Sequence, residues 1–133
     1  LVTALKMLAQ DASQSMGIPV NFECLGEEKR LPAAVELTLY RMAQEGLSNI
    51  ARHAQASAAW VKMVFTPEEI VLEVADNGIG FQVPKSPAEF APSGHFGLLG
   101  LYERAELIGA KLRIQSATGK GTRLSIHLPT PIK

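Results

Sequence analysis

Apolar residues at the start of the chain recur at helical spacing: Leu1, Leu5, Leu8 and Ala12 share one side, which predicts an amphipathic helix running to about Met16, where Gly17 stops it. Val20, Phe22 and Cys24 then alternate with polar neighbours as far as Gly26, a strand pattern. Pro32 suits the first turn of a long helix, and Val35, Leu39, Met42, Ala43, Leu47 and Ile50 give it one apolar stripe as far as about His53. Two runs, Trp60 to Phe65 and Ile70 to Val74, are rich in β-branched and large apolar residues and flank Thr66-Pro67-Glu68-Glu69, a hairpin connection. The second run delivers Asp76 at its end, which its alternation places at a sheet edge.

Periodicity then disappears. From Gly78 to Gly97 the chain is loaded with Gly, Pro and Ser, and loops of that length are usually functional or mobile. A short helix is expected from about Leu98 to Ile108, closed by Gly109, followed by a strand Leu112 to Ser116, a turn at Gly119-Lys120-Gly121 and a last strand Thr122 to Leu128. Pro129 and Pro131 end the pattern. The layout is an α/β two-layer sandwich, with helices on one face of a mixed, mostly antiparallel sheet.

Composition narrows the class. A chain of 133 residues fits one domain with a single core. With 47% apolar and 20% charged residues and a formal net charge of zero, it has no bulk attraction to nucleic acid or to a membrane surface. The single Cys24 cannot pair internally, fits a reducing compartment, and reads as a small buried strand residue. No apolar run reaches bilayer length and no secretion signal is visible, so a cytoplasmic setting is expected, including the cytoplasmic part of a membrane-anchored sensor. The chain opens inside a helical pattern without Met or a cap, which suggests a piece of a longer protein.

Three segments can carry chemistry. Glu45, Asn49 and His53 recur every four residues, on nearly one face of the long helix and off the core stripe. A carboxylate, an amide and an imidazole so aligned can hold a hydrated cation and polyphosphate, Asn49 offering a carbonyl oxygen suited to magnesium. Alone, the triplet reads more readily as a solvated face. Asp76-Asn77-Gly78-Ile79-Gly80 follows a strand, so a carboxylate can accept from an exocyclic amine while the glycines admit a flat ligand, but the same residues also make tight turns. Gly94, Gly97 and Gly100 lead into a helix whose first amides can face phosphate. Their spacing resembles a dinucleotide fingerprint only superficially, because no strand precedes it and the sheet pattern is not parallel. Gly119-Lys120-Gly121-Thr122 is followed by a strand rather than a helix, so it is a hairpin turn and not a Walker loop. His127 reads as a partly exposed strand residue and His95 as part of the long loop. Neither has partners at zinc-ligand spacing.

The fixed order of these segments resembles the ATPase superfamily shared by gyrase, Hsp90, histidine kinases and mismatch-repair clamp proteins. Arg41 through His53 looks like its N box, Asp76 through Phe81 its first glycine box, Gly94 through Arg104 its second, and Gly119 through Thr122 its third. Leu39-Tyr40-Arg41 with Gln44-Glu45, and Phe96-Gly97-Leu98-Leu99-Gly100-Leu101 with Glu103-Arg104-Ala105, are similar to the nitrate-sensor type of two-component kinase. The resemblance implies a Bergerat-type fold binding ATP and magnesium. It implies that Asp76 bonds the adenine amine with Thr122 nearby through water, that Gly78 and Gly80 shape the base pocket, and that Asn49 holds magnesium. Gly97, Leu98 and Gly100 would wrap the triphosphate at the root of a lid formed by Pro84 to His95. Glu45 would be the base or water-positioning carboxylate, and His53 would sit close to phosphate.

The implied reaction is transfer of the γ-phosphoryl group to a histidine, governed by positioning and by charge neutralisation at the metal. None of His53, His95 or His127 sits in a dimerisation segment of the kind that carries the acceptor in this family. The implied partners are therefore the protein's own dimerisation and phosphoacceptor domain, within a homodimer, and a response regulator. An alternative of the same fold is an anti-sigma-type serine kinase or a nucleotide-binding regulatory module. Ala110, where a second glycine often follows Gly109, departs from the family pattern without expected consequence.

Overall fold

The computed structural model describes residues 1–83 and 96–130. Helix α1 (Val2–Met16) ends at Gly17 in the left-handed conformation, where φ is 71°, and the Gly17 N–H closes back on Ser13 O. Strand β1 (Val20–Leu25) follows, then helix α2 (Ala33–Asn49), then β2 (Ala59–Phe65) and β3 (Glu69–Asp76). Beyond the loop come helix α3 (Phe96–Leu107), β4 (Lys111–Ser116) and β5 (Thr122–Pro129).

The five strands form one sheet in the order β1-β2-β3-β5-β4. Only β1 and β2 are parallel, because α2 carries the chain back between them, and the other neighbours are antiparallel. Thr66 closes the β2–β3 hairpin. Its N–H and its hydroxyl both donate to Glu69 O, and its hydroxyl accepts the Glu69 N–H.

Strand alternation decides which side is core. Val61 and Met63 of β2, Ile70, Leu72 and Val74 of β3, and Leu124, Ile126 and Leu128 of β5 are all buried against the helices, which contribute Leu5, Leu39, Met42 and Leu101. Each such fully buried large side chain stabilises the fold by roughly 1.5–3 kcal/mol relative to exposure. The other face stays open. It carries Trp60, Lys62 and the Glu73–Arg123 ion pair at 2.9 Å.

Three expectations need correction. Asp76 ends β3, which is the middle strand of the sheet, so its carboxylate stands at the end of a central strand and not at a lateral edge. The long helix is α-helical only to Asn49, and Ile50–Ala54 form one π-helical turn. That turn ends at Gln55, the one non-glycine residue with positive φ, 49°, among those described. A π turn holds more residues than an α turn and so rotates the side chains that follow it. Cys24 is half-buried rather than fully buried. His127 is half-buried on β5, with its Nδ1 3.4 Å from Glu69 Oε2. No described helix is long and apolar enough to cross a membrane.

Candidate functional site

The N-terminal part of the site is the junction of α2 with the π turn. Asn49, Ile50, His53 and Ala54 all face a cavity of about 300 Å³ between the helices and the sheet. Gly46 reaches the same wall, and a side chain there would press on Val74 and Leu124 at 3.2–3.3 Å, so its absence lets α2 pack close to the sheet. Asn49 Oδ1 accepts from Arg52 at 3.3 Å, while its buried Nδ2 finds no hydrogen-bond partner among the described residues. A buried polar atom without a partner costs about 1–3 kcal/mol, so this amide marks a position that a ligand can satisfy.

Strand β3 supplies the second component. Asp76 is only 7% exposed, and its Oδ1 accepts the Gly78 N–H at 2.7 Å. Burial pushes its carboxyl above the ordinary carboxylate value, while the N–H groups of Gly78 and Thr122 pull it back. Asn77 has a different task. Its Oδ1 accepts the N–H groups of Ser57 and Ala58 at 2.9 and 3.0 Å and its Nδ2 donates to Ser57 Oγ at 2.8 Å, so it ties the turn to the segment leaving the π turn.

The two glycines of this turn are required by close approach. A Cβ on Gly78 would lie 2.1 Å from the carbonyl oxygen of Ala54, which accepts the Ile79 N–H at 2.8 Å. Gly80 combines φ of 66° with a Cβ position 2.2 Å from Ala117 O. The turn 76–80 is thereby clamped between the π turn and the β4–β5 connection. The Gly119 N–H donates to Ile79 O at 2.6 Å on the second side.

The antiparallel register aligns Asp76 with Thr122 and Thr122 with Ser116, so these polar residues form one row across β3, β5 and β4. Thr122 lines the cavity with Asp76. The rest of the lining is apolar, including Ile79, Phe81 and Leu98. An apolar slot with few convergent polar groups suits a flat heteroaromatic ligand that presents a hydrogen-bond donor.

Of the residues singled out from sequence, Asn49, His53, Asp76, Gly80, Leu98 and Thr122 meet at this cavity. Gly78 backs it. Glu45 does not line it, because its Oε1 is bound by Arg52 at 3.1 Å. Gly97 and Gly100 lie in the first turns of α3, where Gly100 is not part of the lining and a Cβ on it would meet only Arg104 Nη1 at 4.0 Å. Gly94, His95 and the expected lid Pro84 to His95 lie outside the described residues. Sequence reasoning missed Arg52, whose position three residues after Asn49 was a visible signal, and Ser116, whose role arises only from strand register. It also placed Ile50 in the core stripe alone, although Ile50 faces the cavity too.

A family model for the histidine kinase-, DNA gyrase B- and HSP90-like ATPases matches residues 34–132. The chain is 35% identical over 114 residues to the histidine-protein kinase/phosphatase DegS of Bacillus subtilis, covering 84% of this chain and 29% of that one. It is 30% identical over 129 residues to the oxygen sensor histidine kinase NreB of Staphylococcus carnosus, covering 97% of this chain and 36% of that one. The chain thus spans about a third of the length of these relatives. In fold it superposes on the histidine kinase domain of the Erythrobacter litoralis blue-light activated kinase with a TM-score of 0.76 at 22% identity, covering 96% of this chain and 60% of that one. It superposes on the catalytic domain of histidine kinase ThkA with a TM-score of 0.74 at 16% identity, covering 96% and 90%. With the family model covering most of the sequence, the chain belongs to the histidine kinase-, DNA gyrase B- and HSP90-like ATPase family.

Proposed function

We propose that this chain is the ATP-binding catalytic domain of a two-component sensor histidine kinase, presenting Mg-ATP for γ-phosphoryl transfer to a histidine on a separate dimerisation domain. The observation that carries the reading is the buried Asp76 carboxyl group at an apolar cavity also lined by Asn49, whose Nδ2 has no hydrogen-bond partner among the described residues. Asp76 receives the adenine amine, with Thr122 beside it, and the apolar lining takes the faces of the base. Gly78 and Gly80 let the backbone approach. Gly97, Leu98 and Gly100, at the start of α3, lie toward the triphosphate.

Magnesium fits the donors only as a nucleotide-borne ion. Among the described residues no group of three or more His, Cys, Asp or Glu side chains can hold a metal, so Asn49 Oδ1 would be the residue oxygen that holds an ion carried in by the nucleotide. An ion held there would supply charge neutralisation for phosphoryl transfer. Glu45 positions water or takes a proton once Arg52 releases it, and His53 stands near phosphate.

DegS and NreB are named as histidine kinases, which supports this reading over a serine kinase or a purely regulatory module. The full-length protein is then a homodimer that passes phosphate to a response regulator in the cytoplasm, and NreB lends support to the nitrate-sensor-like subtype. Calorimetric titration with ATP is the test. Asp76→Asn is expected to abolish detectable binding, and retained micromolar affinity would overturn the adenine assignment. In mixtures with the cognate dimerisation helices, Asn49→Asp is expected to suppress magnesium-dependent phosphotransfer, and unchanged transfer would remove Asn49 from the metal.

A further inference from the structure

The proton inventory of one strand row determines what the cavity can recognise. Ser116 Oγ accepts the Phe81 N–H at 2.9 Å, lies 2.9 Å from Gly121 O, and lies 2.9 Å from Thr122 Oγ1. A serine hydroxyl has one proton and two lone pairs. The Gly121 carbonyl can only accept, so the Ser116 proton goes there. Its lone pairs then receive Phe81 N–H and the Thr122 hydroxyl proton. This is the one assignment that satisfies all three contacts, and it leaves Oγ1 of Thr122, a residue that lines the cavity, with lone pairs alone to offer. In its carboxylate form Asp76 beside it is also an acceptor only.

We propose that Ser116, which does not line the cavity, is a positioning residue that fixes the direction of the Thr122 hydroxyl, makes the polar wall of the site accept only, and thereby selects a 6-amino purine over a 6-oxo purine. The inference rests on the reading of Asp76 and Thr122 as the base-binding pair. A 6-oxo base brings an oxygen lone pair to the Asp76–Thr122 pair, which has no donor to offer it, and a desolvated acceptor facing acceptors is rejected more strongly than a missing contact. If Ser116 left Thr122 free to rotate, the threonine would donate to that oxygen and the preference would shrink.

The test compares nucleoside diphosphates carrying adenine, hypoxanthine (6-oxo) or unsubstituted purine (6-H), titrated calorimetrically. On the unaltered chain the 6-oxo nucleotide is expected to bind more weakly than the 6-H one, and equal or tighter binding would overturn the proposal without any variant having to fold. Ser116→Ala is expected to narrow the ADP preference over the 6-oxo nucleotide by about tenfold, the worth of one hydrogen bond. Ser116→Thr, which retains a hydroxyl, is expected to restore it. A purely structural serine would weaken both nucleotides alike and leave the ratio unchanged, and that result also overturns the proposal. Asp76→Asn separates the two levels: ADP binding that survives it removes the base-binding reading itself, whereas its loss together with an unaltered Ser116→Ala ratio removes only the role of Ser116.

Discussion

Asp76 of β3 and Thr122 of β5 are register partners, and the Thr122 N–H bonds the Asp76 carboxylate, so a buried negative charge is held at the end of the middle strand by two backbone amides. That arrangement serves a ligand at some expense to the empty fold.

The sign follows from linkage. Burial raises the Asp76 carboxyl above its ordinary value of 3.8. Below that value both folded and unfolded chains are protonated and the residue is neutral toward stability. As pH rises through it, the unfolded chain loses its proton first, so the folded state falls behind until its own higher value is passed and then carries a constant deficit. Asp76→Asn keeps an oxygen for the Gly78 N–H and removes the charge. At pH 7 the nucleotide-free variant is expected to melt no lower than the parent, with the difference narrowing toward pH 4, as read by calorimetric Tm. A variant that melts lower at pH 7 would show that the amides outweigh desolvation.

Arg52 bridges Glu45 and Asn49 from a mostly exposed position. Exposed pairs of this kind contribute about 0–1 kcal/mol, so Arg52→Ala is expected to change urea-denaturation stability by less than about 1 kcal/mol. Its larger effect falls on nucleotide handling, since the guanidinium occupies the Asn49 oxygen assigned to magnesium. The magnesium dependence of nucleotide affinity in the variant checks this, and an unaltered dependence would separate Arg52 from the metal.

Gly78 leaves no room for a methyl group. Gly78→Ala would drive Cβ into the Ala54 carbonyl, a backbone atom that cannot rotate aside, and overpacking of this type costs about 1–3 kcal/mol. The variant is expected to lose stability in that range and to bind ADP at least about tenfold more weakly. Ala at Gly100, whose surroundings are open, is the control expected to remain near the parent in stability.

Much of the site was readable because its signals are local. Asp76, Gly80 and Asn49 stand out through turn chemistry and helical spacing, and the strands through alternation. What stayed hidden depends on long-range pairing. Nothing in the run Ile70 to Val74 says that β5 will lie beside it, so neither the central place of Asp76 nor the Ser116–Thr122 contact can be read from spacing. The π turn was missed for another reason. Ile50, Arg52 and His53 carry no proline or glycine to announce a change of pitch, and one widened turn leaves the apolar stripe before it intact. Glu45 shows the limit of helical spacing: residues four apart drift around the axis, and Arg52 then holds its carboxylate away from the cavity.

The Ala54 carbonyl gives the π turn a mechanical meaning. It receives the Ile79 N–H and blocks any side chain at Gly78, so the helix end carrying Asn49 and the turn carrying Asp76 are pinned at one point. A displacement of either is transmitted to the other through backbone alone, like two arms on a shared pivot. In the proposed nucleotide site, occupancy at the Asp76 end and alignment at the Asn49 end would therefore act as one movement.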